Sequence, residues 1–134
     1  MNDTKGLMAG KRGLIMGVAN NRSIAWGIAQ ACARHGAELA FTYQGDAIKK
    51  RVEPLAAEIG ASLCLPLDVS SDEEIMRMYV SLAGHWPSFD ILVHSVAFAP
   101  REQLVGRYLD TVTREGSQIA HDISSYSFVA MAKY

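Results

Sequence analysis

Apolar positions along this chain switch between short continuous runs and helical spacing. RGLIMGV (12–18) is a run that ends next to a glycine, the mark of a parallel strand covered on both faces. Ser23 then stands as the N-cap of SIAWGIAQACARHG, in which Ile24, Ile28, Ala31 and Cys32 recur at helical spacing until Gly36 ends the segment. AELAFTY (37–43) predicts a second strand. DAIKKRVEPLAAEIG, between Gly45 and Gly60, predicts a helix with Ile48, Val52, Leu55 and Ile59 on its apolar side, bent or delayed by Pro54. ASLCLPLDV (61–69) reads as a third strand ending in an aspartate. SSDEEIMRMYVSLAGHW (70–86) opens on cap-type serines and acidic residues, then shows Ile75, Met78, Tyr79 and Leu82 as a buried stripe. FDILVHSVAFA (89–99) predicts a fourth strand running out into a loop.

After Pro100 the polar stretch to Asp110 holds at most a short helix. From Thr111 onward, Ile119, Ile123, Phe128 and Met131 have the spacing of one long helix. Its last residues carry neither a C-cap nor a breaker, so the pattern predicts a helix cut while still running. The alternation of strand and helix predicts an α/β fold, a doubly wound parallel sheet whose right-handed crossovers give the strand order 3-2-1-4. That is half of such a sheet, with the later strands missing. Residues 1–134 are therefore expected to be the amino-terminal part of a single domain. The half sheet leaves strand 4 as an edge that a finished protein would normally cover.

Composition narrows the class. The chain has 134 residues, 49% hydrophobic and 20% charged, with a formal net charge of -1. That is the balance of an ordinary globular domain, and it gives no basis for a nucleic-acid or membrane partner. The opening MNDTKGLMAGKRG lacks an apolar signal core, and no apolar run approaches the roughly 18 residues of a membrane span, so the expected location is cytoplasmic. Cys32 and Cys64 have no CxxC or Cys/His metal spacing around them and read as buried reduced thiols.

In a doubly wound sheet, ligands sit at the carboxyl ends of the strands, at the switch point between strands 1 and 4. GVANNRSIAWG (17–27) leaves strand 1 there, although it is not GxGxxG. Gly17 supplies a tight turn, the small Ala19 allows close backbone approach, and the helix starting near Ser23 offers free amides to a pyrophosphate. Arg22 adds charge nearby. Gln44 follows strand 2, where ribose hydroxyls are read; Asp68-Val69 follow strand 3, where an adenine amino group can be met; Ser95-Val96-Ala97 follow strand 4. Each alone is compatible with an ordinary turn, but together they predict a dinucleotide cofactor.

GVANNRSIAWG, followed by GAELAFTYQ, LDV, HSVAFAP and TREGSQIAHDISSYSF, closely resembles the enoyl-[acyl-carrier-protein] reductases of bacterial fatty-acid synthesis, divergent members of the short-chain dehydrogenase/reductase superfamily. The stretched loop and HSVAFAP stand where ordinary superfamily members show TGxxxGIG and NNAG. The resemblance implies a Rossmann-type fold with Gly17, Ala19, Ser23 and Ile24 at the pyrophosphate. It implies Gln44 at the adenosine ribose, Asp68 and Val69 at adenine, and Ser95, Val96 and Ala97 along the ribose and nicotinamide. It implies reduction of the trans-2 double bond of an enoyl thioester on acyl carrier protein by hydride from NADH or NADPH, in a homotetramer. Some members have Gly where Ala97 stands, and the methyl narrows that space.

The resemblance also implies a catalytic tyrosine with a lysine a few residues later, in a segment after the long helix. Lys133 stands seven residues after Tyr126, but both fall inside the long helix and not in the segment after it, and Tyr134 has no lysine after it; by the resemblance no catalytic residue is expected in this chain and it is expected to be inactive alone. Gln44 and Gly45, with no arginine immediately after strand 2, favour NADH; Lys49, Lys50 and Arg51 read as a solvated helix face, or in the alternative as a 2′-phosphate site for NADPH. His121 and Asp122 are adjacent on a helix and point about 100° apart, which favours packing over a metal or hydrolytic site. His94 is expected to shape the loop after strand 4, and His85-Trp86-Pro87 to end a helix. The competing function is a complete, non-catalytic nucleotide-binding or partner-binding half-domain.

Overall fold

Leu14, Ile15 and Met16 have no solvent exposure, as a strand covered on both faces requires. They belong to β1 (Arg12–Met16), one of the two inner strands of a parallel sheet in a computed structural model that describes residues 6–134. β2 (Glu38–Tyr43) and β4 (Ile91–His94) flank β1, with Leu14 opposite both Ala40 and Leu92. β3 (Leu63–Pro66) pairs with β2, Ala40 standing opposite Leu63, so the order is β3-β2-β1-β4. The predicted order 3-2-1-4 is the observed one. The strand ends are not: residues 67–69 and 95–99 leave the sheet as loops, the Leu67 amide making a last bond to the Tyr43 carbonyl of β2 at 2.8 Å.

Alternate residues of β1 and β2 feed two cores. Leu14, Met16 and Ala40 pack with Ile75, Met78 and Leu82 of α3 (Asp72–Ala83) and with Met131. Ile15, Leu39 and Phe41 pack with Ala25, Trp26, Ala29 and Cys32 of α1 (Ile24–Arg34) and with Val52 and Ala56 of α2 (Gly45–Glu58).

The buried stripe of α1 differs from the expected one. Ile24 is 78% exposed and Ile28 36%, whereas Ala25, Trp26 and Ala29 face the sheet. Small alanines let the helix axis approach β1 and β2, and Trp26 fills the remaining space beside Phe41 with ring centroids 6.4 Å apart. The helix ends where glycine predicts: Gly36 has φ 92°, and the Ala37 amide returns to the Cys32 carbonyl at 3.0 Å. Pro54 does not delay α2, which runs through it; Pro54 and Lys50, whose carbonyl loses its amide partner, both lie on the exposed side. Cys32 is buried but Cys64 only half so.

Beyond β4, a short 3-10 turn (Arg101–Leu104) and α4 (Tyr108–Thr111) lead to α5 (Arg114–His121). The long helix expected from Thr111 starts at Arg114, with the Thr113 hydroxyl accepting from the Gly116 amide at 3.0 Å. It is not one regular helix. A wide π turn, Asp122–Tyr126, separates α5 from α6 (Ser127–Lys133) and shifts the buried face to Ser127, Ala130 and Met131, leaving Phe128 half exposed.

Candidate functional site

The four strands end on one side of the sheet, and the segments leaving them enclose a cleft of about 470 Å³. Gly17, Val18 and Ala19 enter it from β1, Gln44 from β2, Asp68 and Val69 from β3, and Ser95, Val96, Ala97 and Phe98 from β4; Ile123 of the π turn closes one side. Eight of the ten expected cofactor residues therefore share one cavity: Gly17, Ala19, Gln44, Asp68, Val69, Ser95, Val96 and Ala97. Ser23 and Ile24 do not line it.

Gly17 is where this shape is decided. Its φ is 95°, and a Cβ built on it would overlap the carbonyl oxygen of Ser95. Only a glycine permits this turn together with this approach of the first loop to the β4 end.

Ser23 occupies the N-cap backbone position of α1, but its hydroxyl makes no capping bond, contrary to expectation. It turns back and accepts from the amides of Ala19 at 2.9 Å and Asn20 at 3.1 Å. The Asn20 side chain in turn accepts from the Arg22 amide at 2.8 Å. The reason is local: the tight loop brings two of its own donors to the hydroxyl before the helix amides can reach it. The Ile24 and Ala25 amides, first in α1, meet no acceptor among the described residues; Ile24 is exposed and its amide is available to a ligand, whereas Ala25 is fully buried.

The other side of the cleft is organised by the start of α3. The Ser71 hydroxyl accepts from the Glu74 amide at 3.2 Å, and Glu74 Oε2 reaches back to accept from the Asp68 amide at 2.7 Å. Asp68 Oδ1 accepts from the Ser70 amide at 2.9 Å and the Ser70 hydroxyl at 2.6 Å, and Oδ2 accepts from Gln44 Nε2 at 3.1 Å. Two strand ends are thus tied by one side-chain pair.

The loop after β4 is held by a residue that its place in the sequence does not single out. Ser124 Oγ accepts from the Phe98 amide at 3.0 Å and donates to the Phe98 carbonyl at 3.1 Å. Four residues earlier His94 Nε2 meets Ser127 Oγ at 2.7 Å, a contact that ties the end of β4 to the first residue of α6. The only sequence signal for Ser124 is SSYS placed where a helix changes register. Burial lowers the His94 pKa below its ordinary value, favouring the neutral ring.

Lys49 sits 3.8 Å from Glu53 and 5.8 Å from the Tyr43 ring centre, and neither Lys49, Lys50 nor Arg51 lines the cleft. Tyr126, His121 and Asp122 line a separate open groove on α5 and the π turn. Among the described residues no three His, Cys, Asp or Glu side chains gather as a metal-ligand set, and no helix is long and apolar enough to cross a membrane.

Residues 17–134 match a family model described as enoyl-(acyl carrier protein) reductase. The chain is 59% identical over 128 residues to the enoyl-[acyl-carrier-protein] reductase [NADH] FabI of Salmonella typhimurium, a match covering 96% of this chain and 49% of that protein. It is 54% identical to enoyl-[acyl-carrier-protein] reductase [NADH] 1 of Rhizobium meliloti, covering 98% of this chain and 48% of the relative. Among solved structures, the NADH enoyl-[acyl-carrier-protein] reductase of Aquifex aeolicus superposes with a TM-score of 0.91 at 49% identity, over 96% of this chain and 50% of that one. The Anaplasma phagocytophilum reductase in complex with NAD superposes with a TM-score of 0.90 at 46% identity, over 97% of this chain and 49% of its own. The chain spans about half the length of these relatives. Fold, loop sequence and family match agree: the chain belongs to the enoyl-(acyl carrier protein) reductase family.

Proposed function

We propose that residues 1–134 form the amino-terminal, dinucleotide-binding part of a single Rossmann-type domain in an NADH-dependent enoyl-[acyl-carrier-protein] reductase. One observation carries the reading: segments from all four strand ends meet in one cleft at the β1/β4 switch point, at a position that admits only glycine. That cleft fits a dinucleotide. Ala19 and the unpaired Ile24 amide suit an anionic pyrophosphate beside the Gly17 turn, with Ser23 holding the loop in shape. Gln44 takes the adenosine ribose, Asp68 and Val69 the adenine side, and Ser95, Val96 and Ala97 the nicotinamide side. NADH supplies hydride to the double bond of an enoyl thioester.

The relatives' names support NADH as the cofactor, and acyl carrier protein as the carrier of the substrate. Gln44 at the end of β2, and Lys49 engaged with Glu53, support NADH over NADPH. A homotetramer in the cytoplasm completes the proposal.

The test is a titration of the protein with NADH, followed by nucleotide fluorescence, together with NADH oxidation by the full-length gene product on a short enoyl thioester. Saturable binding and turnover are expected. Absence of saturable NADH binding overturns the cofactor assignment; binding without turnover returns the competing non-catalytic reading.

A further inference from the structure

We infer that Asp68 discriminates between NADH and NADPH by fixing which way the Gln44 amide faces. The inference rests on the proposed binding of a nicotinamide dinucleotide in the cleft. A carboxylate can only accept, so the 3.1 Å contact between Asp68 Oδ2 and Gln44 fixes the amide with its NH2 toward Asp68. The carbonyl Oε1 is left as the free end of that amide, with no donor among the described residues, on a side chain that lines the cleft.

Asp68 is itself immobilised. Ser70 occupies Oδ1 with two donors, and Glu74 holds the Asp68 amide at 2.7 Å from within the first turn of α3. The carboxylate therefore cannot swing away without breaking its two bonds from Ser70, while Glu74 fixes the backbone that carries it. A free carbonyl matches a ribose 2′-hydroxyl, which has a proton to give. A 2′-phosphate, mostly dianionic at neutral pH, has only acceptor oxygens and meets an acceptor backed by a carboxylate. Asp68 is in this respect a positioning residue acting through Gln44, besides lying on the adenine side.

The test measures dissociation constants for NADH and NADPH in the intact protein, in Asp68→Asn, in Gln44→Leu and in the double variant. Asparagine can donate to Gln44, so the amide is free to turn its NH2 outward. The ratio of NADPH to NADH dissociation constants is expected to fall about tenfold or more in Asp68→Asn, since hydrogen bonds to charged groups carry that much. The same substitution is expected to leave the ratio unchanged in the Gln44→Leu background. Ser70→Ala, which loosens the carboxylate while keeping its charge, is expected to lower the ratio in part and serves if Asp68→Asn does not fold. NADH binding by the unaltered protein with a ratio insensitive to Asp68 and Ser70 overturns the inference alone. A fall in the ratio that persists in full without Gln44 also overturns it, assigning discrimination to charge repulsion. Failure of the unaltered protein to bind NADH overturns the proposed function and this inference together.

Discussion

His94, the last residue of β4, and Ser127, the first of α6, meet at 2.7 Å between Nε2 and Oγ. Ser127 has no solvent exposure and donates its one proton to the Ile123 carbonyl at 2.6 Å. Toward His94 it can only accept, so the neutral imidazole carries its proton on Nε2. The sheet and the helix behind the π turn are joined through this chain of two bonds. Ser127→Ala removes both and is expected to lower stability by about 1 kcal/mol, the net worth of a hydrogen bond whose remaining donor, on half-buried His94, keeps some access to water. A urea titration reads this as a lower midpoint at unchanged slope; an unchanged midpoint would show that the contact contributes nothing.

The same histidine predicts a pH dependence. Burial holds its pKa below the ordinary 6.5, so the unfolded chain takes up a proton more readily than the folded one. Stability from this group is complete above about pH 6.5 and is lost as pH falls toward the depressed folded value. Glu38, whose carboxylate accepts from Trp86 and Arg12, and Asp90, which accepts from the Arg12 amide, have their pKa values lowered from 4.5 and 3.8. Their stabilisation is present above those ordinary values and is lost only at more acid pH. His94→Gln is expected to flatten the urea-midpoint profile just below pH 6.5 while leaving the acid limb in place. An identical profile in the variant would remove His94 from the account.

Residues that obey one rule at a time are legible in the sequence. The β1 run and the cap serine of α3 lead directly to their elements, and the strand order follows from handedness once four strands are found. The spacing in α1 misleads because hydrophobicity favours Ile24 and Ile28, whereas the sheet selects Ala25 and Ala29 for close approach. The π turn has no signature in spacing, since Ile119, Ile123 and Met131 also fit a regular helix. In the cleft, the strand-end residues are legible from topology. Their mutual bonds, Gln44 to Asp68 and Ser124 to Phe98, depend on side chains far apart in sequence and are not.

Gly17 and Gly27 stand at the two ends of one loop and helix start, and they predict opposite outcomes for the same substitution. Gly17 has a positive φ and no room beside the Ser95 carbonyl, so Gly17→Ala is expected to cost about 2 kcal/mol or more. Gly27 lies in α1, and a methyl group there would meet nothing within 4 Å. Gly27→Ala is expected to stabilise by about 0.5–1 kcal/mol through helix propensity alone. Thermal unfolding of the two variants checks both signs; destabilisation by Gly27→Ala would mean that this exposed face is covered in the folded protein.

Ser23 separates two roles that the N-cap position usually combines. A capping serine replaced by alanine costs about 1 kcal/mol because a helix amide loses its acceptor. Here the hydroxyl accepts from Ala19 and Asn20, and α1 receives no side-chain cap to lose. Ser23→Ala therefore releases the loop between Gly17 and α1 while leaving the helix start as it was. Under the proposed function that loop approaches the pyrophosphate, and its rigidity lowers the ordering cost of binding. The expected outcome is a fall in NADH affinity of about tenfold with a small change in thermal midpoint, and recovery of affinity in Ser23→Thr, which keeps the hydroxyl. A variant that loses thermal stability but binds NADH as before would show that Ser23 serves the helix and that the loop finds its shape without it.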